Sequence, residues 1–256
     1  MWHGVSAFFF SHCITNIHSH NTMQIIVDIQ GSFKCKIGDG QWKAYKNLII
    51  RENVIHQLNT NDSVQLLIYL DSETTVAKEI KSRYMDKLDM YSPDINIFKD
   101  IDPKALQQAI LKPDQGLLLD VVNRVLNVFC GTKDASKADE RISKARQLIA
   151  ECHPSGLSVA YLANLVCLSE SRLRVLFKAE TGIPVYQYIM WSRIRFAINR
   201  IMNGCAVNEA ALEAGFTDSS HFHKMLVKMF GLSPSQFIKS NQQFNIITCD
   251  QITLEF

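Results

Sequence analysis

Two kinds of hydrophobic spacing divide the chain. Up to about residue 70 the apolar residues come in short runs: Met23 to Ile29, Phe33 to Ile37, Leu48 to Ile50 and Val64 to Leu70, all rich in Val, Ile, Leu, Phe and Tyr. Gly31, Gly38-Asp39-Gly40 and the stretch Asn59 to Asp62 interrupt them. Short strands with a turn signal roughly every ten residues predict a β-sandwich or barrel, and the Gly38-Asp39-Gly40 tripeptide suits a hairpin turn. From Lys78 the spacing becomes helical. Lys78 to Tyr91 is charged and amphipathic, and Asp102-Pro103 opens a helix over Ala105 to Leu111. Pro113-Asp114 opens another that runs to about Cys130, on which Leu118, Val122, Val125 and Phe129 recur at helical spacing. Such a stripe serves either as core within the domain or as the face of a homodimer seam. The stretch Gly131 to Lys137, GTKDASK, has no apolar residue except Ala135 and predicts an interdomain linker.

Beyond the linker one pattern occurs twice. Leu162 to Gly182 reads LANLVCLSESRLRVLFKAETG, and Val207 to Pro234 reads VNEAALEAGFTDSSHFHKMLVKMFGLSP. Each has a short apolar helix, a tight turn, and a second helix that opens on polar residues and closes on Gly. Ser169 and Asp218 fit the N-cap of the second helix in each unit. Gly182 and Gly231 fit positions after a helix that need positive φ. Leu162, Leu173, Phe177, Phe222 and Phe230 read as core, while Ala163 and Ala211 are small enough for helices to cross closely. Core and caps explain these residues one at a time. They do not explain the same order of cap, apolar pair and closing Gly twice at one spacing. A helix that starts polar and keeps one face exposed can enter the DNA major groove.

These residues resemble the AraC/XylS family of bacterial transcription regulators. The matching positions are Leu162, Ala163, Ser169, Leu173, Phe177, Lys178, Glu180, Thr181 and Gly182 in the first unit. Tyr188, Arg193 and Ala197 match in the joining helix. Ala211, Gly215, Phe216, Phe222, Phe230, Gly231, Pro234 and Phe237 match in the second unit. Three departures stand out: Ala210 replaces a branched apolar residue, Leu226-Val227 replaces Phe-Lys, and the loop before Val207 is about one residue short. The resemblance implies double-stranded DNA as partner, two recognition helices at about 170–180 and 218–230 reading successive major-groove segments, and RNA polymerase as a further partner. It places Glu170, Ser171, Arg172 and Arg174 against DNA in the first unit, and Ser219, Ser220, His221, His223 and Lys224 in the second. Arg174 has the donors to pair with a guanine edge, and Lys178 and Lys228 suit phosphate contacts. Val175 stands where many members have a polar base contact. The competing reading of each is a solvated helix face.

A second resemblance lies near the N-terminus. His18-Ser19-His20, then Gln24, then Gly31 has the spacing of the first cupin motif, with Gln24 in place of Glu; His56 falls at the histidine of the second motif, preceded by Arg51 and Asn53 instead of Pro and Gly. Family members that sense small molecules often carry a cupin-like barrel here. His18, His20, Gln24 and His56 are the candidate pocket for a small-molecule effector. Imidazoles also ligate Zn, Fe, Cu or Ni, but in regulators such histidines more commonly line a pocket or hydrogen-bond its rim, so the expectation is no metal and no cofactor.

Composition changes this picture little. The chain carries 27 Lys and Arg against 25 Asp and Glu, a net charge of +2. The charge is uneven: residues 138–240 hold 12 basic and 8 acidic side chains, residues 1–137 hold 15 of each, and residues 241–256 hold two acids and no base. The positive excess sits where the repeated motif sits, as phosphate attraction requires. Seven cysteines without C-x-x-C spacing argue against a disulfide framework or zinc cluster. No apolar run approaches the ~18 residues of a membrane span. Ala7 to Phe10 is too short for a signal-peptide core and has no basic residues before it. The expected location is the cytoplasm.

The chain thus reads as a two-domain α+β protein: a cupin-like β-barrel over 1–77, helices over 78–130 suited to dimerisation, a linker at 131–137, an all-α DNA-binding domain over 138–240, and a tail at 241–256 that is either a docked strand or a disordered end. The expected function is sequence-specific transcription regulation without enzymatic activity, controlled by an effector. Two other classes compete: a cupin dioxygenase or isomerase using His18, His20 and His56 on iron, and a degenerate interaction module that has lost DNA binding. The double helix-turn-helix argues against the first.

Overall fold

The computed structural model describes residues 5–10, 14–29, 31–60, 63–94, 115–130, 139–235, 238 and 246–247. The chain divides into two compact units: Met1–Ser72, Val76–Thr132 and Val227–Glu255 form one, and Glu73–Thr75, Lys133–Leu226 and Phe256 the other.

The first unit is built on strands β1 (Val5–Phe10), β2 (Thr22–Asp28), β3 (Phe33–Ile37), β4 (Lys43–Tyr45), β5 (Asn47–Ile50), β6 (His56–Asn59), β7 (Gln65–Asp71), β8 (Met90–Tyr91) and β9 (Ile246–Ile247). They form a six-stranded sheet in the order β8-β5-β2-β7-β1-β9 and a three-stranded sheet in the order β4-β3-β6. All pairings are antiparallel. The central strands β2 and β7 are buried along their whole length, which accounts for their unbroken apolar runs. Met23, Ile25 and Val27 of β2 join Leu66, Ile68 and Leu70 of β7 in one core with the helices. The alternate residues face the other way, because successive strand side chains point to opposite faces. The 14–18 segment adds to β6 through bridges Ile14↔Asn59 and His18↔His56. Among the described residues the strands form two sheets, and the closed barrel expected from the strand spacing is not found there.

Helix α1 covers Thr75–Tyr84 and buries Val76, Ala77 and Ile80. It is shorter than the amphipathic stretch to Tyr91 suggests. The chain turns over after Met85, with Lys87 at φ 57, and Met90–Tyr91 pairs with β5 instead. Helix α2 covers Gln115–Cys130. On it Val122, Val125 and Phe129 are fully buried, together with Val121 and Leu126, against the six-stranded sheet and α1. The stripe is therefore core, and the dimer-face reading of Val122, Val125 and Phe129 is corrected: a face already covered by its own sheet has no apolar surface left to offer a second copy. The side chain of Leu118 lies outside the described residues, as do the helix expected over 105–111 and the linker at 131–137. In the tail, Ile246–Ile247 pairs with β1 in the register Ala7↔Ile247.

The second unit contains α3 (Glu140–Glu151), a 3-10 turn at Pro154–Gly156, α4 (Val159–Leu165), α5 (Glu170–Thr181), the long α6 (Val185–Met202), α7 (Val207–Glu213) and most of α8 (Ser219–Phe230). The caps fall where the residue types ask for them. Asp139 accepts from Arg141 N at 2.9 Å, Ser158 from Tyr161 N at 3.1 Å, Ser169 from Arg172 N at 3.2 Å and Asp218 from His221 N at 2.7 Å. Gly182 closes α5 in the left-handed region at φ 84. Leu162, Ala163, Leu173 and Phe177 are buried in one cluster with Ile142, Ile149 and Ile189, and the Phe177 ring meets Tyr188 edge-on at 5.1 Å. Arg200 grips Glu213 with two hydrogen bonds of 2.6 and 3.1 Å, fixing α6 against α7. Among the described residues no helix is long and apolar enough to cross a membrane.

Both turns between paired helices use the same backbone device. Leu168 N donates to Ala163 O at 2.9 Å, and Phe216 N donates to Ala211 O at 3.0 Å. The residue before each donor must take positive φ: Gly215 at φ 86, and Cys167 at φ 54. A cysteine there carries the Cβ penalty of the left-handed region, about 1 kcal/mol.

Two outcomes are expected. Val122→Asp places a carboxylate in sealed apolar core at a cost of several kcal/mol, so the first unit loses cooperative folding, seen by circular dichroism and urea titration; a folded monomer would mean that the stripe is a surface. Cys167→Gly relieves the left-handed strain and raises stability by several tenths to about 1 kcal/mol; an unchanged or lowered melting temperature of the second unit would contradict that assignment.

Candidate nucleic-acid interface

Helix α5 has two faces. Leu173 and Phe177 hold it to the core, while Ser171, Arg172, Arg174, Val175 and Lys178 are exposed along the opposite side. Ser169 starts the helix and Gly182 ends it, so the exposed face begins at the first turn, where backbone N–H groups and the positive end of the helix dipole also favour phosphate. Arg174 Nη2 lies 3.0 Å from Glu170 Oε2, one helical turn back, with both side chains about half exposed. Glu170 thus holds the Arg174 guanidinium along the helix. Glu180, by contrast, is structural: it accepts a hydrogen bond from Asp139 N at 3.0 Å, tying the end of α5 to the start of α3.

Helix α8 repeats the arrangement with different chemistry. Phe222 and Leu226 are buried, and Ser220, His223, Lys224 and Lys228 are exposed. Ser219 is half-buried beside the Asp218 cap. His221 is half-buried like Ser219: its Nδ1 lies 3.2 Å from Thr217 Oγ1 and its ring meets Phe216 edge-on at 5.3 Å, which holds it at the turn end of the helix. Counting from the N-caps, Val175 of α5 corresponds to Lys224 of α8, and Lys178 to Val227. The departures Ala210 and Leu226 are both fully or almost fully buried, so they are changes in core size. The sequence gives little warning of the roles of Cys167 and Val175. Cysteine is not a usual left-handed residue, and an exposed valine looks like core until the helix phase is fixed.

The four N-terminal candidates do come together. His18 lies on the segment bridged to β6, His56 begins β6, and Gln24 is on β2 of the larger sheet. Ring centroids are 4.3 Å apart for His18 and His56, 5.1 Å for His20 and His56, and 5.6 Å for His18 and His20. One ring nitrogen of each lies within 4.8 Å of the others. Gln24 Oε1 is 3.3 Å from His20 Nε2, and Gln24 Nε2 donates to the Tyr69 hydroxyl at 3.1 Å. Each Nδ1 sits 2.8–2.9 Å from a backbone carbonyl, of Asn16, Thr22 and Val54. When the rings are neutral, an Nδ1–H donated to these carbonyls leaves Nε2 as the acceptor nitrogen of His18 and His56, whereas the contact with Gln24 Oε1 requires His20 Nε2 to carry the proton. His56 Nε2 is buried with no hydrogen-bond partner among the described residues. A cavity of about 10 Å³, room for about one water, is lined by Thr15, His18, Gln24, His56, Leu58 and Tyr69.

Burial sets the charge of this cluster. Desolvation, followed by repulsion from neighbouring histidines, pushes His20 down to about 4 and His56 to about 3; desolvation also lowers His18. The cluster is neutral at pH 7. In the second unit the Asp139 carboxyl is held down to about 2 by its hydrogen bonds with Arg141.

Residues 162–240 match a family described as a helix-turn-helix domain. The probable transcriptional regulator LumQ of Photobacterium leiognathi is 24% identical over 237 residues, covering 86% of this chain and 90% of that protein. The arabinose operon regulatory protein of Escherichia coli K12 is 31% identical over 105 residues, and the match spans 39% of this chain and 35% of that one. Among solved structures, ToxT from Vibrio cholerae O395 aligns with a TM-score of 0.44 and 13% identity over 93% of this chain and 98% of that one. The repeated helix pairs with polar outer faces are therefore a helix-turn-helix DNA-binding domain. That domain is of the AraC type, and the chain is similar to the transcription regulators named above.

The histidine cluster gives a pH prediction. Both native values lie below the ordinary histidine value of 6.5, so as pH falls below about 6.5 the unfolded chain takes up protons that the native first unit does not. Stability is therefore fully present above about pH 6.5 and is lost towards about pH 4, at up to about 1.4 kcal/mol per pH unit for each histidine. His56→Gln should flatten the slope of urea-unfolding free energy against pH between 4 and 6.5. An identical slope in the variant would show that His56 is not buried neutral.

Proposed function

We propose that the protein is a sequence-specific regulator that lays α5 and α8 into two successive major-groove segments of double-stranded DNA. The observation that supports this most is the repetition itself: two helices with the same cap and the same turn bond, each with a buried apolar face and an exposed polar one. Glu170, Ser171, Arg172 and Arg174 present base-reading groups from α5; Ser219, Ser220, His223 and Lys224 present them from α8; Lys178 and Lys228 neutralise phosphate, adding affinity without sequence preference. Lys224 stands where α5 has Val175, and Val227 where α5 has Lys178, so the two helices divide the labour unequally.

The first unit is read as a cupin-like sensor layer. Its support is the clustered set His18, His20, Gln24 and His56, with the His56 Nε2 buried and unpartnered and His56 among the residues lining a water-sized cavity. A small effector that satisfies that nitrogen binds the native unit preferentially and stabilises it. An effector larger than a water has to displace the lining side chains. Such a regulator acts with RNA polymerase on cytoplasmic DNA.

Arg174→Ala is expected to weaken binding to the selected operator by about 1–3 kcal/mol, to relax base preference at one position, and to leave non-specific binding nearly unchanged. Fluorescence anisotropy on operator and scrambled DNA checks this. Equal losses on both would reduce Arg174 to a phosphate contact. Footprinting should show two protected segments about one helical turn apart, and a single protected segment would leave only one helix reading.

A further inference from the structure

Val175 is 59% exposed in the middle of the outward face of α5. One turn before it stand Ser171 and Arg172, one turn after it Lys178, and all three are exposed. The apolar side of the helix, carrying Leu173 and Phe177, is already fully buried, so Val175 has no part in holding α5 to the domain. A β-branched residue also lowers helix propensity relative to the unbranched polar residues around it. A face meant only for solvent or phosphate gains nothing from an apolar side chain here.

The major groove contains one apolar group, the 5-methyl of thymine, and valine methyls are suited to bury against it. The flanking arginine and lysine end in hydrogen-bonding charged heads, and their methylene stems carry no branched methyl pair like that of valine. The corresponding residue of the second reading helix, six beyond its cap, is Lys224, which offers charge where α5 offers methyl groups. We propose that Val175 reads a thymine methyl, so that the segment contacted by α5 specifies thymine at one position by apolar contact while α8 does not. This rests on α5 entering the major groove, as proposed above.

The test uses the full-length protein and an operator obtained by selection from random DNA. Each thymine is replaced in turn by uracil, which removes the methyl and keeps the pairing edge. One replacement in the α5 segment should weaken wild-type binding about fourfold, the value of roughly one buried methylene. Val175→Ala, which favours the helix, should bind the thymine operator about fourfold more weakly and no longer distinguish thymine from uracil at that position. Circular dichroism confirms that this variant keeps its helix content. If the operator is bound specifically but no uracil replacement matters, or if Val175→Ala distinguishes the two bases as well as wild type does, the Val175 reading is overturned while DNA recognition stands. If selection yields no preferred sequence, DNA recognition by these helices fails and takes the inference with it.

Discussion

The hydrogen bond from the residue after each turn back to an alanine carbonyl, Leu168 to Ala163 and Phe216 to Ala211, sets the angle at which a reading helix leaves its supporting helix. The bond forms only if the intervening residue takes positive φ, and the alanines leave room for the close crossing. With the angle fixed, Leu173 and Phe177 land on the core and the opposite side of α5 faces out. The outward presentation of Arg172, Arg174, Val175 and Lys178 is a consequence of that geometry and owes nothing to those residues themselves. Arg193, donating to Leu157 O at 3.1 Å, and the Arg200–Glu213 pair brace the same scaffold from α6.

The repeated unit was legible in the sequence because its signals are local. Ser169, Asp218 and Gly182 act on backbone groups within one turn, so residue type nearly determines position. Non-local decisions were less legible. Nothing around Met90 distinguishes a helical continuation from a strand until β5 is there to pair with it. The stripe Val122, Val125 and Phe129 reads equally as core or seam because both need apolar residues at helical spacing; the neighbouring six-stranded sheet decides for core. The two-sheet arrangement depends on which edges pair, which alternation along single strands does not encode. His221 is polar and early in a helix, as a base reader should be, yet Phe216 and Thr217 draw it into the turn. Cys167 hid its role because its conformation is imposed by a backbone bond that glycine serves better.

The histidine cluster shows how much the first unit relies on neutrality. Three imidazoles with ring centroids about 4–6 Å apart are kept neutral first by burial, which disfavours any charge there, and then by the repulsion that a second proton would meet. The carbonyls of Asn16 and Val54 orient His18 and His56, and Gln24 and Tyr69 extend the network from His20 across β2 and β7.

Because the exposed residues of α5 contribute nothing to the core, fold and preference are separable in this domain. Surface substitutions of this kind usually change stability by less than about 0.5 kcal/mol, while a single base contact is worth about 1–3 kcal/mol of discrimination. The binding site can therefore drift through a succession of stable intermediates, one position at a time, with the scaffold untouched. The two halves would drift at different rates. If Val175 reads a methyl group and Lys224 meets phosphate or base edges, the first contact tolerates fewer base changes than the second, and α5 holds its target sequence more stubbornly than α8.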